Sequence, residues 1–148
     1  MVDAAAAFSD AYVSAWDAVG TMESHFHAPD EAKRRELVLT AFDNLDAVAA
    51  SIGRLYLPLA PKRDALDSAV TAHDELLTAI NCARSIYTSD AFSDRDAIAI
   101  KQRHFDEAKQ RAQVGFAAFH SHAWAAATGW IGRASTKPLP MPKHRPPK

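Results

Sequence analysis

Sulfur, glycine and β-branched side chains are all scarce in this chain. Its one cysteine, Cys82, has no internal partner, so the fold cannot lean on a disulfide or an oxidising compartment, and a cytoplasmic location is the expectation. Five glycines in 148 residues, with few valines, isoleucines and threonines, leave little material for sheets. The first twenty residues hold Asp3, Asp10 and Asp17 but no lysine or arginine, so they lack the positive start of an export signal.

What the chain has in excess is alanine, 31 of 148 residues, the strongest helix former. Apolar residues at 48% and charged residues at 24% are close to globular averages, which excludes wholesale disorder and a polytopic membrane protein. The length is that of one domain, enough to bury roughly two thirds of its unfolded surface.

Apolar residues recur every three to four positions in four stretches, the mark of helices that each hide one face. The first carries Phe8, Tyr12, Ala15, Val19, Met22 and Phe26, with Gly20 as a point of interruption. The second opens at Pro29, with Asp30 and Glu31 at the positive end of its dipole, and carries Leu37, Ala41, Leu45, Val48, Ile52 and Leu55 up to a boundary at Gly53 and Pro58. Pro61 opens the third in the same way, and Leu66, Val70, His73, Leu77, Ile80 and Tyr87 keep its period until near Thr88. Ser93, with Asp96 three positions on, resembles a cap for the fourth. That stretch runs through Ile98, Phe105, Ala112, Phe116, Phe119, Ala123 and Trp130 to a stop at Gly129 or Gly132.

Helices of roughly 24 to 34 residues joined by short links predict an all-α, antiparallel up-down four-helix bundle. It is expected over residues 1–132, with alanines letting facing axes approach and the fourth helix projecting beyond its neighbours. Residues 1–132 hold twelve basic and eighteen acidic residues, a net of −6, whereas residues 133–148 hold five basic residues and no acid. Five prolines among the last twelve residues forbid a helix there, so the chain ends in a basic, proline-rich tail, extended or disordered.

Seven histidines raise the question of a metal, and spacing answers it. No Glu-x-x-His motif occurs, so the ligand set of a carboxylate-bridged bundle is not there. His120 and His122, two residues apart, stand about 200° apart around a helix and cannot grip one ion. His25 and His27 lack an evident carboxylate or thiolate partner, and His73, on an apolar face, reads as a packed histidine whose neighbours Asp74 and Glu75 point elsewhere. Cys82 lies mid-helix, where no helix N-terminus lowers its pKa. No nucleophile elbow, phosphate-cradling loop or dinucleotide fingerprint is present. No catalytic residue, cofactor or metal is therefore expected.

Residues 112–132 contain no Asp, Glu, Lys or Arg, a length that could span a bilayer. Gln113, His120, Ser121, His122 and Thr128 interrupt the run and its alanines supply little transfer energy, so a transmembrane segment is not expected. A basic stretch at Lys101, Arg103, Lys109 and Arg111 is broken by Asp106 and Glu107, too mixed for a nucleic-acid footprint on an acidic body. What stands out is four large aromatics within fifteen residues, Phe116, Phe119, Trp124 and Trp130, next to the cations Arg133, Lys137, Lys143 and Arg145. These eight residues are the expected partner-binding set of a non-catalytic, protein-interaction or regulatory module that binds a protein partner or itself. A small nucleic-acid-associated subunit is the alternative, and a metal-binding or enzymatic bundle the further one.

Overall fold

The computed structural model describes residues 2–27, 30–89 and 95–134, with side chains as far as residue 123 and at residue 125. Four helices take up nearly all of them: α1 Val2–Ser24, α2 Glu31–Leu55, α3 Arg63–Tyr87 and α4 Arg95–Ala134. Contacts between helices give the up-down-up-down order. Glu23 near the end of α1 meets Lys109, while Ser9 near its start meets His120 farther along α4. Arg34 at the start of α2 reaches Tyr87 at the end of α3, and the pairs Glu75–Arg111 and Ser89–Lys101 run α3 against α4. The fold is thus the expected antiparallel four-helix bundle.

Local chemistry sets the helix ends. The Asp30 carboxylate caps α2 by accepting the Lys33 N–H at 3.0 Å, so Pro29 precedes the helix and lies outside the described residues. Helix α3 begins at Arg63, two residues later than Pro61 suggests. Residues 56–61 form a turn, pinned by the fully buried Leu59, whose N–H bonds to the Leu55 carbonyl at 2.9 Å. Gly20 does not break α1, and α4 passes through Gly129 and Gly132 to Ala134, so Arg133 is helical. The Ser93 cap falls outside the described residues.

The two seams along α4 differ in kind. Between α3 and α4 the seam is small residues, with Ala65, Ala69, Ala72, Ala79 and Ala83 facing Ala108, Ala112 and Gly115, and the two backbones run close together. Of the large residues assigned to the α3 face from its periodicity, Leu66 and Ile80 are buried, whereas Val70, Leu77 and Tyr87 lie on its flank, half-buried. Between α1 and α4 the seam is aromatic. Phe8 packs on Phe119 at 4.5 Å and Tyr12 stacks on Phe116 at 4.0 Å, and side chains of that bulk hold the backbones apart.

The end of the bundle where α1 turns into α2 is closed by a polar plug. Tyr87 donates to the Met22 carbonyl at 2.6 Å, and Arg34 donates to the Phe26 carbonyl at 3.0 Å while lying over the Tyr87 ring. Met22 lies in the last turn of α1 and Phe26 in the turn that follows, where i to i+4 helical partners run out. Burial raises the Tyr87 phenol from 10.0 to about 12, partly offset by the Arg34 charge. A raised phenol favours the fold in its protonated form, so this contribution is whole below pH 10.0 and is lost as the pH climbs towards about 12. The melting temperature should fall across that window. Tyr87→Phe should start lower, by about 1 kcal/mol for the lost hydrogen bond, the Met22 carbonyl keeping the His25 N–H at 3.1 Å, and fall less steeply. Equal slopes in the two proteins would show that Tyr87 ionises freely in the folded chain.

Candidate interaction face

The C-terminal half of α4 carries the residues singled out by sequence, and the fold divides them. Phe119 is fully buried against Phe8, in the core of the subunit and out of reach of any partner. Phe116 is half-buried, with one face covered by Tyr12. The side chains of Trp124, Trp130 and Arg133, and the whole of Lys137, Lys143 and Arg145, lie outside the described residues. Two of the four aromatics are therefore used to attach α1.

Both faces of α4 near its end are polar at the rim. His120 turns towards α1, where its Nε2 lies 3.1 Å from the Ser9 hydroxyl, and His122 lines the opposite side beside α3. The two imidazoles diverge, as their spacing requires. His25 is held by the Thr21 carbonyl at 2.9 Å from its Nδ1, a local contact at the end of α1. His73 corrects the sequence reading: its Nδ1 lies 3.0 Å from the Asp74 carboxylate, so the adjacent residue is its partner after all. The helix rotates the two Cβ atoms apart, but the side chains lean back towards each other across the exposed flank of α3. Among the described residues no three His, Cys, Asp or Glu side chains converge as a metal site would need. Burial outweighs the nearby Arg111 and pushes the Cys82 thiol up, towards its unreactive protonated form.

The basic stretch of α4 is largely tied up within the subunit. Lys109 donates to Glu23 at 2.7 Å between the rings of Trp16 and Phe105, Arg111 donates to Glu75 at 2.7 Å, and Lys101 donates to Ser89 at 2.6 Å. That leaves Arg103 exposed. Sequence alone could not show this, because each acceptor sits on another helix.

Two open grooves flank α3. One, about 670 Å³, lies against α2 and is lined by Arg34, Arg35, Leu39 and Arg84. Two of its cations are engaged internally, Arg34 by carbonyls and Arg84 over the Phe42 ring. The other, about 640 Å³, lies against α4. Asp64, Asp67, Glu75 and Glu107 line it together with Arg111 and Val114, and Gly115 lies in it where the α3 and α4 backbones come close. No helix among the described residues is long and apolar enough to cross a membrane. No protein family, curated protein or solved structure matches the chain.

Proposed function

We propose that the chain is a non-catalytic helical interaction module that holds a protein partner, or a second copy of itself, through the end of α4 and the cations that follow it. One observation carries this reading. Helix α4 runs 40 residues against 23 to 25 in the others. Ala125 of α4 lies level with Lys62 and Arg63 at the start of α3, so residues 126–134 continue about 13 Å beyond it. A two-turn helix containing Gly129 and Gly132 is marginal in water on its own, and cover from another chain supplies what it lacks. Val2, Tyr56 and Leu57 are exposed at the same end of the bundle and widen the apolar surface on offer.

The test is light scattering over a range of concentrations, with chemical crosslinking in lysate, on the full chain and on a Trp124→Ala/Trp130→Ala variant. The parent chain should form a heavier species or capture a defined protein, and the variant should do neither while keeping its helicity and melting temperature. A parent that stays monomeric throughout, with the same crosslinked proteins recovered from both, would sink the reading.

A further inference from the structure

The groove between α3 and α4 combines an apolar lining with an acidic rim. Glu75 is paired with Arg111, while Asp64, Asp67 and Glu107 have no ion-pair partner among the described residues. Val114 stands 63% exposed within it. This groove opens towards the end of α4 from which the basic tail leaves.

We propose that the groove is the docking site of the chain's own residues 137–148, which fold back along α4. Length and charge both fit. A helix rises about 1.5 Å per residue and an extended proline-rich strand about 3.1 Å, so each tail residue returns past about two residues of α4. On that register the uncharged stretch Pro138-Leu139-Pro140-Met141-Pro142 passes the groove's mouth, where Lys62 and Arg63 would repel a cation. Lys143, Arg145 and Lys148 then fall within side-chain reach of Asp67, Glu75 and Glu107. Residues 137–148 carry four basic residues and no acid, so nothing in them opposes the rim. Ion pairs at an exposed rim are weak singly, but tethering turns them into an intramolecular contact at an effective concentration on the order of millimolar. The contact stands whether or not the end of α4 binds a partner; where it does, the partner must first displace the tail.

Zero-length carbodiimide coupling of the full chain at low ionic strength, with mass-spectrometric mapping of the monomer fraction, tests it. Links from Lys143 and Lys148 to Asp67, Glu75 and Glu107 should outnumber links to Asp3 and Asp10 by about tenfold, or ~1.4 kcal/mol. Asp3 and Asp10 are the proper control because both are exposed near the same end of the bundle. About 0.5 M salt should erase the preference, since it shortens screening to a few ångströms. An Asp67→Lys/Glu107→Lys variant, altered only at exposed positions, should lose it with unchanged helicity. Links spread evenly over all exposed acids would overturn the proposal. So would links confined to a dimer fraction, which would assign the groove to the tail of a second copy.

Discussion

Gly115→Leu should lower the free energy of unfolding by about 3 kcal/mol or more, the upper range for an overpacked core. Gly20→Ala and Gly53→Ala should each raise it by about 0.5–1 kcal/mol, the ordinary helix-propensity gain. The opposite signs come from what a new Cβ meets. At Gly115 it would lie 3.1 Å from the Ala72 backbone nitrogen and 3.3 Å from the Ala72 Cα and the Ser68 carbonyl oxygen. Those are main-chain atoms that cannot swing aside, so α3 and α4 must part along their alanine seam. At Gly20 and Gly53 a Cβ meets nothing within 4 Å. No described glycine has a positive φ, so backbone strain does not enter and the comparison isolates packing. Denaturant titrations with a constant m-value read the three changes directly. A Gly115→Leu protein as stable as the parent would mean that the two helices are not in close contact at this point.

That seam also shows why the bundle was legible and its interior was not. The four helices follow from a three-to-four-residue rhythm and from the helix bias of alanine, and both are local properties. Which face of α3 points inward is not local. Reading the face by its largest residues selects Leu66, Val70, His73, Leu77, Ile80 and Tyr87, of which Leu66 and Ile80 are buried and the other four only half-buried, while Ala65, Ala69, Ala72, Ala79 and Ala83 are fully buried. When two helices pack this closely, small residues mark the contact and bulky ones are displaced to its edges. Gly129 and Gly132 misled in a related way. A glycine ends a helix by adopting a left-handed backbone, and neither does so here. The partner-binding set met the same limit. Its spacing puts Phe116 and Phe119 on one face of α4 but cannot say that Phe8 and Tyr12 of α1 already cover that face.

Phe8→Ala is expected to cost about 4 kcal/mol, within the range for removing a buried phenylalanine, and a large share of a small domain's stability. Phe8 is fully buried and packs on three rings, those of Phe119, Phe116 and Tyr12 at 4.5, 6.0 and 6.3 Å. Because the α1 and α4 backbones stand apart here, the rings are the contact, and truncation leaves a void that neither helix can close without tilting. Tyr12→Phe should act in the opposite direction. Its hydroxyl is buried without a hydrogen-bond partner and burial pushes its pKa well up, so removing the oxygen should raise stability by about 1 kcal/mol. Hydrogen exchange then links packing to the interaction face. Phe8→Ala should strip protection from the amides of residues 116–123 more than from the α3 amides of the alanine seam, because α4 beyond Phe116 loses its support from α1 first. Uniform loss of protection along the whole of α4 would show that α1 does not govern how firmly the end of that helix is presented.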